Sequence, residues 1–183
     1  WNQKMSKMMY KDKVEQWKKK DLLIQKPEIK SESMDFLNKA KHNLRVALAL
    51  LQISENKEVK ALAGEKEDFQ CYDWVINSSY YSMYQSALGL LAKIGYKSES
   101  HNATIDALYY FFVLEGFLED YYVKDLILAK KLEEEYIQEL VKAKQERKTS
   151  QYSSLIEISK DKAHKLIEIT KKFVNRLSEI ILE

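Results

Sequence analysis

Trp74-Val75-Ile76-Asn77-Ser78-Ser79-Tyr80-Tyr81-Ser82-Met83-Tyr84-Gln85-Ser86-Ala87-Leu88 contains no charged side chain, and none stands between Asp73 and Lys93. At helical spacing one face carries Cys71, Val75, Ser78, Ser82, Ser86, Leu90 and Ala92, and its neighbour carries Tyr72, Ile76, Tyr80, Met83, Ala87 and Leu91. A helix without charge on two faces is buried on most of its sides. The small Ser79, Ser82, Ser86 and Gly89 would let another helix come close, because packing distance follows the side chains at the crossing. Gly95 supplies a left-handed stop, with Tyr96 placed for the apolar contact that follows such a cap.

Similar periods extend on both sides. Leu37, Ala40, Leu44, Ala47, Leu48 and Leu51 predict a helix over 32–52, followed by a polar loop over 55–67. Ser98 or Ser100 opens a helix with Ile105, Leu108, Tyr109 and Phe112 inward, which Gly116 ends. A charged helix over 121–148 presents Leu126, Leu132, Tyr136, Leu140 and Ala143. A polar break is expected over 148–158, with Ser159 capping a last helix along Ala163, Leu166, Ile167, Thr170, Phe173, Val174, Leu177 and Ile181. Strand signals are weak, since even Tyr109–Leu114 continues a helical period. The expected fold is all-α: an up-and-down bundle of about five main helices plus a short N-terminal helix, joined by short connections.

Composition agrees. Only 4 Gly and 1 Pro occur in 183 residues, too few for the turns of an all-β chain. Hydrophobic residues at 45% and charged residues at 32% fit one globular domain. No run reaches a membrane span, no cleavable leader is evident, and cytoplasmic residence is the expectation. The lone Cys71 forms no internal disulfide and reads as a buried thiol in a reducing compartment. Residues 1–30 hold nine Lys against four acids, whereas the whole chain carries only +2. They read as a basic helix and linker, either an arm touching phosphate or a solvated surface helix, ahead of a bundle over 31–183.

Few residues suggest chemistry. A di-iron bundle needs paired Glu-x-x-His motifs, and the near match Asp161-x-x-His164 stands alone. His42, His101 and His164 are too scattered for a zinc cluster, and no glycine-rich phosphate loop exists. No cofactor is expected. The 12 Tyr residues read as core and interface packing or as base-stacking platforms. They are too many for one small core, so some are expected in a dimer interface. Lys142, Lys144, Arg147 and Lys148 end the long helix, with Tyr152 after them. Arg forks onto phosphate and Lys adds point charge, although a helix C-terminus also favours cations for purely structural reasons.

The stretch Trp74–Leu88, with its paired Tyr, Met, aromatic and small residues, resembles the signature helix of HEPN (higher eukaryote and prokaryote nucleotide-binding) domains. Gly95-Tyr96 and Ser100-His101 resemble the family's turn and next helix start. Leu37–Leu51 and Ala163–Leu177 resemble its first and last helices, so the likeness spans about 33–182. It implies a dimerising bundle that acts on or binds RNA or nucleotides, often encoded beside a minimal nucleotidyltransferase in toxin–antitoxin or defence systems. Many such domains are metal-independent RNases whose site, an Arg followed by a His, lies at the dimer interface. Arg147 matches that Arg, and Tyr152 stands where His is expected; Gln151-Tyr152 is closer to a subset with Asp-Tyr. By that resemblance Arg147 and Tyr152 are the catalytic candidates, and Lys142, Lys144, Arg147 and Lys148 the nucleotide- or RNA-binding ones. The alternatives are a binding module, an RNase toxin in which His101 or His164 replaces the lost His, and a ligand-free scaffold.

Overall fold

A computed structural model of the chain describes the backbone of residues 2–146 and 152–183, and the side chains of residues 5–138 and 160–183. Seven α-helices appear among them: α1 (Asn2–Lys19), α2 (Ser33–Glu55), α3 (Lys57–Leu62), α4 (Tyr72–Lys93), α5 (His101–Leu108), α6 (Asp120–Glu146) and α7 (Tyr152–Leu182). Two short strands, β1 (Leu23–Gln25) and β2 (Tyr96–Ser98), pair antiparallel with Leu23 opposite Ser98 and Gln25 opposite Tyr96. The fold is an all-α bundle, as the apolar periods predict.

Helix α4 is the axis of this bundle. Val75, Met83, Ala87, Leu90 and Leu91 are fully buried, and Ser79, Ser82, Ser86 and Gly89 are buried with them. The small residues act as expected. Ser82 Oγ donates to the Ala40 carbonyl at 2.7 Å, and Ser33 Oγ donates to the Gly89 carbonyl at 2.7 Å. A Cβ at Gly89 would lie 3.1 Å from the Ser33 carbonyl oxygen and 3.3 Å from Ile181 Cδ1, so α2 and α7 both close on this point. The pairs 33 with 89 and 40 with 82 run in opposite senses, which makes α2 and α4 antiparallel. Tyr136 Oη donates to Asp73 Oδ2 at 2.6 Å, and Glu133 lies level with the Tyr80 turn, so α6 is antiparallel to α4 as well. Lys162 Nζ meets Glu135 Oε2 at 3.4 Å, bringing α7 back along α6. Each large core side chain in this arrangement, such as Tyr80, Leu126 or Phe173, contributes about 1.5–3 kcal/mol by leaving water.

Several boundaries differ from the sequence reading. The loop expected over 55–67 contains α3, because Asn56 Oδ1 accepts from the Glu58 and Val59 amides and caps a short helix. The expected linker after α1 forms β1 and a 3₁₀ turn over Pro27–Glu32. The edge of β1 is fixed by Lys26 N–H donating to the Gly95 carbonyl at 2.8 Å. The helix after Ser100 widens into a π turn over Tyr109–Val113 before the left-handed Gly116 (φ +80). Helix α7 begins at Tyr152, so Ser159 lies inside it and is no cap; Leu155 and Ile158 carry the apolar period back past the serines.

The N-terminal helix docks on α5. Val14 is fully buried, Tyr10 stacks on Tyr109 at 4.1 Å between ring centroids, and Asp106 accepts from Trp17 Nε1 at 2.8 Å and Lys13 Nζ at 3.0 Å.

Candidate functional site

Antiparallel packing gathers the C-terminus of α2, the N-terminus of α4 and facing turns of α6 and α7 at one end of the bundle. Glu55, the last residue of α2, is the centre of this layer. Its Oε1 accepts from His164 Nε2 at 2.5 Å and from Tyr72 Oη at 3.3 Å, with Lys160 Nζ at 3.6 Å. Burial pushes the Glu55 carboxyl up, but His164, Lys160 and Tyr72 outweigh it and leave the group below its ordinary value. Burial, together with the Glu55 charge, raises the Tyr72 phenol to about 12. Tyr72 is therefore a neutral hydrogen-bond donor at any physiological pH.

The residues singled out from sequence belong to the connection that leaves this end. Helix α6 continues to Glu146 and α7 starts at Tyr152, but Arg147 and Lys148, and the side chains of Lys142, Lys144 and Tyr152, lie outside the described residues. His164 is twelve residues beyond Tyr152 on the same helix, about 18 Å along its axis, and it hydrogen-bonds Glu55.

His101 has a different environment. Its Nδ1 hydrogen-bonds the Tyr80 hydroxyl, and its ring stacks on Tyr84 at 4.2 Å and 12°. Burial lowers its pKa, and Lys130 lowers it further, so the imidazole is neutral near pH 7. Burial drives the Tyr80 phenol far upward. Tyr80 Oη and Nδ1 share one hydrogen bond, whose direction follows the imidazole tautomer. This places His101 in a packed aromatic group with Tyr80 and Tyr84 at the start of α5. It also lines a groove of about 490 Å³ between α5 and α6 with Ser100, Glu99, Lys130, Glu133 and Glu134.

The tyrosines divide between packing and surface. Tyr72, Tyr80, Tyr84 and Tyr122 are buried, whereas Tyr81 and Tyr121 remain 38% and 48% exposed. Cys71 is buried, its Sγ 3.2 Å from Ser54 Oγ, and burial raises the thiol pKa. Among the described residues no cluster of three or more His, Cys, Asp or Glu could hold a metal ion, and no helix is long and apolar enough to cross a membrane. Glu55 and Asp73 were not legible from sequence, since their partners are far along the chain and no local motif marks them.

A family model for the HEPN domain matches residues 56–181, about two thirds of the chain. The chain belongs to the HEPN family. Membership supports a function related to nucleotides or RNA. The match begins after α2, so it takes in α4, the His101 turn and both helices of the Arg147 connection. No curated protein and no solved structure matches this HEPN chain significantly.

Proposed function

We propose that this HEPN protein is a binding module for RNA or nucleotide, or for a minimal nucleotidyltransferase partner, in a cytoplasmic toxin–antitoxin or defence system. The observation that carries the reading is the family match combined with a retained Arg147 and a Tyr at 152. A guanidinium can fork onto phosphate and stabilise its charge. Cleavage through a 2′-hydroxyl gains from a group that trades protons near neutrality, as His does at about pH 6.5; a phenol near 10 does not. Binding thus survives the substitution better than catalysis. Lys142, Lys144 and Lys148 add positive charge on the same connection.

We further propose that two copies share the site. On the outward side of α4, Trp74, Ser78, Tyr81, Gln85 and Leu88 follow alternating steps of four and three residues, a stripe suited to a second helix. Trp74 is 60% exposed, and Gln85 Oε1 has no hydrogen-bond partner among the described residues. Light scattering is expected to give a dimer, and a monodisperse monomer would overturn the shared site.

Filter binding to RNA and to nucleotides, with and without a nucleotidyltransferase encoded nearby, tests the main reading. Arg147→Ala is expected to weaken RNA or partner binding at least tenfold, the loss of about one charge-assisted contact. If neither interaction changes, the binding reading fails. Arg147-dependent RNA cleavage in chelator would replace it with the RNase alternative.

A further inference from the structure

The groove of about 490 Å³ beside His101 has an unbalanced charge. Glu99, Glu133 and Glu134 line it, against Lys130 alone among the described residues. Glu134 is taken up by that lysine at 2.8 Å, and Glu99 is paired with Lys97 from β2. Glu133 is left over. No hydrogen bond or ion pair among the described residues reaches it, although only 8% of it is exposed. Its carboxylate oxygens are not sealed from water, so the charge is open to the groove that the residue lines.

The spacing on α6 explains the surplus. Lys130 stands three residues before Glu133 and four before Glu134, and it closes the i, i+4 pair. One ammonium thus serves one of two adjacent carboxylates. Burial and the neighbouring Glu134 both work against the ionised form of Glu133, and a second cation in the groove would relieve both. His101, tied to Tyr80 through Nδ1, is neutral near pH 7 and adds no repelling charge. Leu22 supplies an apolar wall on which an alkyl chain can lie.

We propose that this groove binds a primary alkylammonium group, with Glu133 as the carboxylate that receives it and Leu22 against its carbon chain. The class follows from the donor set. A carboxylate only accepts, so the bound group must donate. An anionic head would meet three carboxylates and be repelled. A metal ion fits poorly, since no three His, Cys, Asp or Glu side chains converge among the described residues. An ammonium is a compact charge with three donors, for which one free carboxylate is the main requirement. The head can belong to a free diamine or to a lysine side chain of another protein, and both bring the same chemistry to Glu133. The site shares no residue with the Arg147 connection and does not rest on the proposed function.

Calorimetric titration of the full chain with putrescine, with Nα-acetyl-lysine methylamide and with uncharged butanediol tests this. Amine binding without diol binding is the expected result. Tighter binding of putrescine assigns the groove to free diamines, and tighter binding of the lysine amide assigns it to a partner's side chain. Glu133→Gln keeps the shape and removes the charge, and is expected to weaken the amine at least tenfold, the loss of about one charge-assisted contact. Lys130→Ala removes the competing ammonium and frees Glu134, so amine binding is expected to tighten severalfold, which a misfolded variant would not show. Arg147→Ala is expected to leave amine binding intact. Failure of both amines to bind, equal binding of the diol, unchanged affinity in Glu133→Gln, or weaker binding in Lys130→Ala would each overturn the site.

Discussion

The Tyr80 hydroxyl hydrogen-bonds Nδ1 of His101 and thereby ties the centre of α4 to the first turn of α5. Tyr80→Phe would leave a half-buried imidazole nitrogen without its partner. The expected loss is about 1–2 kcal/mol of stability, read by urea unfolding, with little change in slope. The same pair sets a pH dependence. The folded-state pKa of His101 is lowered below its ordinary 6.5, so the unfolded chain takes up the proton first. Stability from this group is complete above about pH 6.5 and is lost as pH falls from there through the folded value. His101→Gln should flatten that part of the profile, and an unchanged slope between pH 6.5 and 5 would refute the assignment.

Gly89 tests the close approach of three helices. An added Cβ already meets Ser33 O at 3.1 Å, Phe36 Cβ at 3.2 Å and Ile181 Cδ1 at 3.3 Å. Gly89→Ala gains helix propensity of about 1 kcal/mol against that crowding, so its net effect should be small. Gly89→Val adds branches with nowhere to go and is expected to cost about 1–3 kcal/mol by overpacking. Thermal unfolding of the two variants separates the effects.

These residues show how far the sequence reaches. The uncharged run from Trp74 to Ala92 was sufficient to place α4 at the centre, because burial on most sides leaves its mark along the whole helix even though Trp74 and Tyr81 stay exposed. Ser82 and Gly89 were legible as points of close approach for the same reason. Asn56 looked like part of a loop because capping is decided by two amides, not by periodicity. Strands of three residues such as Leu23–Gln25 are too short to show alternation, and their pairing spans more than seventy residues. The polar layer fared worst. Glu55 and His164 are 109 positions apart, and nothing local to either announces the other.

Glu55 should hold the end of the bundle from which the Arg147 connection departs. Replacing it with Gln removes an acceptor shared by His164, Tyr72 and Lys160, on a surface partly open to water. About 1 kcal/mol is expected, since exposed pairs contribute less than buried ones. The sign with pH is opposite to an unpaired acid. The folded-state pKa of Glu55 lies below the ordinary 4.5, so its contribution is present above that value and is lost as pH falls through the lower folded one. Acid titration followed by circular dichroism should show a shallower decline below pH 4.5 in Glu55→Gln.

Glu133 reverses that logic. Burial raises its pKa, the neighbouring Glu134 raises it further, and the weaker pull of Lys130 does not restore it. The folded state therefore holds this proton more tightly than the unfolded chain, and stability falls as pH rises from about 4.5 through the folded value. At pH 7 the charged carboxylate destabilises the bundle, and Glu133→Gln is expected to raise stability by about 0.5–1 kcal/mol, within the range of ordinary stabilising substitutions. If the variant is instead less stable at pH 7, neighbouring groups offset the burial of the charge and the assignment fails.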